Sequence, residues 1–143
     1  MSKLETPMIV DYWKRIGGTL IEEFQMVERA KRNLSYGPRR ADAVIVPSGE
    51  NRRVPRGQRA ISLEGKDVIV IQAKRQRLGM YLMGQAVFSA KLIKRFNPKS
   101  VKSVILCAKD DAVLHPMLAP YRNVEVVVAA QKMPKERRVP SRK

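Results

Sequence analysis

The apolar and polar positions of this chain change period several times, and each change marks an element. After Thr6-Pro7, which reads as an N-cap with proline at the first helical position, Ile9, Val10, Trp13 and Ile16 recur at helical spacing until Gly17-Gly18 ends them. The segment Thr19–Val27 is rich in Ile, Leu, Phe and Val and reads as a strand. A helix is the competing reading there, since Glu22, Glu23 and Met26 also favour one. Residues 29–40 are polar and basic, with Tyr36-Gly37-Pro38 as turn punctuation. A short apolar strand is expected over 41–46, closed by Pro47-Ser48-Gly49. A basic excursion over 50–59 follows, and then a strand over 59–63. The clearest strand covers 67–74, where alternation puts Val68, Val70, Gln72 and Lys74 on one face and Ile69, Ile71 and Ala73 on the other.

From 79 to 96 the period turns helical. Met80, Met83, Val87, Ala90 and Lys94 share a stripe, with Phe88 and Leu92 beside it, and Asn97-Pro98 stops the helix. The two methionines are expected in the core. Strands over 101–108 and 124–130 follow, separated by a short helix within 110–121 that Pro116 and Pro120 limit. This order predicts a mixed α/β sheet with helices on its faces, built from residues 1–130 as a single domain. Residues 131–143, with six basic side chains, one acid and two prolines, read as a basic disordered tail.

Composition narrows the classes. At 143 residues and 44% hydrophobic, the chain can bury a core of ordinary size. Its apolar runs are too short for a bilayer, and its first residues carry acid without an apolar stretch, so a cytoplasmic protein with no membrane partner is expected. The one cysteine, Cys107, lies in an apolar run and reads as a core thiol. With one histidine, His115, zinc sites and Cys/His nucleophile pairs are excluded, and no GxxxxGK[ST] motif calls for a nucleotide cofactor.

Charge changes the picture most. The formal net charge is +16, and residues 1–30 hold four basic against five acidic side chains, so the whole excess falls after them. A polyanion, nucleic acid above all, is the natural partner of such a surface.

Candidate chemistry sits where the apolar strands end. Gln72 and Lys74 point the same way at the C-terminal end of strand 67–74, and Asp42 occupies a second apolar strand where an unpaired charge is costly. A carboxylate beside an amide oxygen and an ammonium suits a hard divalent cation. Simpler roles compete: Asp42 pairing with Arg39 or Arg40, Lys74 opening the solvated run Lys74-Arg75-Gln76-Arg77, and Gln72 as a strand-end amide.

Asp42, then Gln72-Ala73-Lys74 on the next core strand, then helix 79–96, resembles the PD-(D/E)XK nuclease superfamily. The resemblance implies a restriction-endonuclease-like αβββαβ core, from about Pro7 to Ala108, and a metal-dependent endonuclease that hydrolyses the DNA backbone with Mg²⁺ (or Mn²⁺). Carried over, Asp42 binds the metal and Lys74 assists water activation and stabilises charge at the scissile phosphate. Gln72 stands where the family usually has Asp or Glu, and brings no charge. The family often adds a glutamate from the first helix or first strand; Glu23 is the candidate for a further catalytic metal ligand, with Glu22 as its rival. Arg39, Arg40, Arg52, Arg53, Arg56, Arg75 and Arg77 bracket this motif in sequence and suit phosphate oxygens, and Gln85 on the helix is a candidate DNA contact. Cutting both strands from one small site would call for a homodimer. The alternative that Gln72 motivates is a nuclease-fold DNA-binding protein or interaction module without catalysis.

Overall fold

The structure, a computed structural model, describes residues 5–28, 36–37, 39–55 and 61–129. Helix α1 (Thr6–Ile16) carries Pro7 in its first turn and buries Ile9 and Tyr12. Its N-cap is Glu5 rather than Thr6, and no side chain caps it. Gly17 and Gly18 both hold positive φ. At Gly18 a Cβ would collide with the Val46 carbonyl and Pro47, so only glycine lets the chain turn this closely past the next strand. The Trp13 indole Nε1 donates to the Gly18 carbonyl at 2.7 Å and pins the turn to the helix.

Six strands follow: β1 (Thr19–Val27), β2 (Arg39–Val46), β3 (Arg52–Val54), β4 (Asp67–Arg77), β5 (Ser100–Lys109) and β6 (Val124–Val128). They form one mixed sheet in the order β3-β1-β2-β4-β5-β6. β1 with β2 and β2 with β4 are antiparallel; β1 with β3, β4 with β5 and β5 with β6 are parallel. Helix α2 (Met80–Ile93) crosses between β4 and β5. The Thr19–Val27 ambiguity resolves to strand because Leu20, Ile21 and Phe24 are buried on a sheet covered from both sides.

Two apolar layers sandwich that sheet. On one face Ile9 and Tyr12 of α1 meet Leu20, Ala43, Ile45, Ile69, Ile71, Ala73, Val104 and Leu106. On the other, Ile93 of α2 packs with Ile21, Phe24, Val44, Val68 and Val70, and Leu82 and Ala86 pack with Ile105 and Cys107. Ile69 and Ile71 face α1 while Val68 and Val70 face α2, which is the alternation read from the sequence. Cys107 is buried, as expected of a core thiol.

Several expectations need correction. The edge strand falls at Arg52–Val54, inside the basic excursion, and residues 61–63 form no strand. Val54, buried beside β1, supplies the apolar anchor that the arginines around it obscure. Between β5 and β6 there is only a 3₁₀ turn, His115–Leu118, since Pro116 and Pro120 forbid the hydrogen bonds of a longer helix. The buried stripe of α2 is Leu82, Ala86, Ser89, Ala90 and Ile93; of the expected stripe Ala90 is buried, and Met83 and Val87 pack half-buried against the core. Met80 is 74% exposed and is no core residue. Helix α2 ends at Ile93, and residues 94–96 continue as a 3₁₀ turn to Asn97 at φ 56. The tail over 131–143 and Arg56 lie outside the described residues. Among the described residues no helix is long and apolar enough to cross a membrane.

Candidate functional site

The centre of the molecule holds an interrupted ladder. β2 and β4 pair at Ala43↔Ile71, Val44↔Val70 and Ile45↔Ile69, and the pairing stops there. β4 stays paired to β5 well past that point, through Gln72↔Ile105, Ala73↔Leu106 and Lys74↔Cys107. The β2-facing edge of β4 is therefore released at Gln72 while its other edge stays clamped. The Ala73 N–H, left without a β2 carbonyl, donates to Asp42 Oδ2 at 2.8 Å. A side chain thus replaces the missing rung, and Asp42 is held beside Gln72-Ala73-Lys74 by the main chain itself.

Asp42 is an uncomfortable acid. Burial pushes its pKa up from the ordinary aspartate value of 3.8, and the charge of Glu5 pushes the same way. The Ala73 N–H and the Lys74 ammonium oppose that shift without cancelling it. Glu5, only 8% exposed, counted in the sequence only as one acid among the first residues. Its place directly before a helix, where the macrodipole favours a negative charge, was the available signal.

The remaining residues divide around this pair. Gln72 is buried and its Nε2 donates to Ser89 Oγ of α2 at 2.7 Å, so its side chain lies on the α2 face. With the amide nitrogen committed, its carbonyl oxygen is the atom left to serve as a donor to a ligand. Lys74, Arg75, Gln76 and Arg77 are all exposed where β4 leaves the sheet. Arg77 reaches across to the Asp110 carbonyl at 2.9 Å. Arg39 and Arg40 of β2 line a groove of 520 Å³ along α2 that also includes Gln72, Gln85 and Ser89.

Glu22 and Glu23 go to different partners. Glu22 is buried and bonded to the Arg53 guanidinium of β3. That contact holds Arg53 above its ordinary pKa. Glu23 stands between the pairs Glu22↔Ala43 and Phe24↔Ala41, opposite Asp42, and lies 3.8 Å from Arg40. Its φ of 52 is in the left-handed region that non-glycine residues rarely occupy. Arg52 pairs with Glu50 at 3.1 Å and sits level with Thr19, which is opposite Val46 at the far end of β2 from Asp42. The structure therefore gathers Asp42, Gln72, Lys74, Arg39, Arg40 and Gln85 at one end of the sheet and sets Arg52 and Arg53 apart on the β3 edge. His115, outside this region, binds Asp110 through Nδ1 at 2.8 Å.

Could these residues hold a divalent cation? Every donor is a hard oxygen, and Asp42 keeps a carboxylate oxygen beyond the one the Ala73 N–H engages. Among the described residues no three Asp, Glu, His or Cys side chains group as metal ligands, so the Gln72 oxygen or water would have to complete the set. The residues fit such an ion with fewer charged ligands than a tight site carries.

Compared with family models, curated proteins and solved structures, the chain matches none.

Proposed function

We propose that this protein is a metal-dependent DNA endonuclease of the restriction-endonuclease-like type, working in the cytoplasm. The observation that carries the reading is the Ala73-to-Asp42 bond at the parting of β2 and β4, which joins the aspartate to the Gln-Ala-Lys element. The strand pairing supports it. An opening helix, two antiparallel pairings and then a parallel one across a helix is the αβββαβ order, with β3 and β6 as additions at the two edges.

The chain's own residues divide the work. Arg39 and Arg40, exposed along the groove, hold backbone phosphates, a contact that carries no sequence information by itself. Lys74, exposed at the released edge of β4, binds a non-bridging phosphate oxygen and offsets the charge that develops as the backbone bond breaks. Asp42, fixed through Oδ2, would hold the cation with the Gln72 oxygen and with Glu23, which stands opposite it on β1. Glu23 keeps the part that the resemblance gave it, with Arg40 3.8 Å from its carboxylate. When bound, Mg²⁺ or Mn²⁺ supplies Lewis-acid polarisation of the phosphate and eases deprotonation of the attacking water.

Incubating the purified chain with plasmid, linear and branched DNA, with and without Mg²⁺ or Mn²⁺, tests this reading. Cleavage that needs the metal is the expected result; binding to all three without cleavage in either metal would overturn it. That second outcome belongs to a DNA-binding descendant that no longer cuts. The bond from Gln72 to Ser89 favours it, because an amide tied into the core stands where the resembled family usually has a metal-binding acid.

A further inference from the structure

Helix α2 turns one face into the core and leaves the other strangely apolar for a surface. Tyr81 is 76% exposed and Phe88 62%, seven residues apart and so two turns along one side. Gly84 lies midway between them. A glycine inside a helix costs about 1 kcal/mol relative to alanine. Packing does not require it here, because a Cβ at Gly84 would meet nothing within 4 Å. The effect of the missing side chain is to keep the groove floor open between two rings.

We propose that this floor stacks an unpaired DNA base between Tyr81 and Phe88, making gapped, forked or otherwise single-stranded DNA the preferred substrate class. The inference rests on the DNA reading above. Its own support is the chemistry of the groove. Aromatic faces stack any base, whereas a paired base keeps its faces covered by its neighbours in the duplex. Arg39 and Arg40 rim the same groove and supply the positive charge that the phosphates flanking such a base require. The amide of Gln85, on the same lining, presents both a donor and an acceptor to a base edge. A polyanion with a flat ring matches this combination of charge and exposed aromatics better than a peptide does.

The test uses the full chain in chelator, so that nothing is cut. Equilibrium binding to a plain duplex is compared with binding to the same duplex carrying a short gap with 2-aminopurine in it. The wild type is expected to quench the 2-aminopurine and to favour the gapped DNA by about 5- to 150-fold, the range that one stacked base contributes. Tyr81→Ser, Phe88→Ser and Gly84→Leu, which fills the floor, each bring the gapped affinity towards the duplex value. All three substitutions are at the surface, and circular dichroism checks that the fold is retained. Equal affinity for both DNAs, or a preference indifferent to the three variants, overturns the inference and leaves the DNA reading standing. Failure to bind either DNA removes both. Sedimentation showing a wild-type dimer that Phe88→Ser converts to monomer would also overturn it, because the aromatic face would then belong to a second copy.

Discussion

Asp42 keeps a half-buried carboxylate where an amide would satisfy the same hydrogen bond. Its pKa is raised in the folded chain, so the unfolded chain ionises first as pH rises. The resulting destabilisation begins near the ordinary value of 3.8 and is complete once the folded state has ionised too. Asp42→Asn keeps an acceptor for the Ala73 N–H and removes the charge. In thermal melts with chelator present, the variant should melt higher than wild type at pH 7, and the difference should vanish below pH 3.8. A lower melting temperature for the variant at pH 7 would mean that the charge is structural. A stability cost carried at a functional position is a recurrent trade in proteins. At this scale Asp42, Gln72 and Lys74 stand out in the sequence as polar residues that interrupt apolar strands, and the structure brings Asp42 to the Ala73 N–H between the other two. The influence of the Glu5 charge on Asp42 could not be read there, because it depends on how α1 lies on the sheet.

Among the elements, β4 was the most legible and α2 the least. β4 alternates between two covered faces, and its period survives into the structure with both faces assigned correctly. In α2 almost every position is apolar, so periodicity could not tell which stripe is buried, and the exposed Met80 and Phe88 were grouped with the core. The short edge strand β3 escaped because its pattern rests on Val54 alone among arginines. Two substitutions test the elements. Ile71→Ala, at a fully buried position of β4 beside the parting, should cost about 2–5 kcal/mol in denaturant unfolding. Gly84→Ala should stabilise α2 by about 1 kcal/mol and raise the melting temperature by about 4 °C, because its Cβ enters open space. A loss of stability there would mean that the groove floor is filled by something else in solution.

Across the whole molecule, the mixed sheet between α1 and α2 places the cationic end of β4 and the arginines of β2 on the same side of one parting. The net charge of +16 was plain in the sequence, but which arginines stand together was not: Arg53 is held by Glu22, while Arg39 and Arg40 line the groove. Duplex affinity should therefore fall steeply with salt, by about 10³-fold between 50 and 200 mM if about six phosphates are engaged. Arg40→Ala should lower the slope of log affinity against log salt by about one, and Arg52→Ala should leave it unchanged. Equal effects from the two arginines would mean that charge acts diffusely rather than through the groove. The proposed chemistry meets its most direct test in single-turnover cleavage of labelled DNA by Lys74→Ala, with binding measured on the same sample. Cleavage in saturating Mg²⁺ or Mn²⁺ should fall at least 10²-fold while DNA binding stays within about threefold of wild type. Cleavage at the wild-type rate would contradict the assignment of Lys74 and, with it, the site at the parting of the strands.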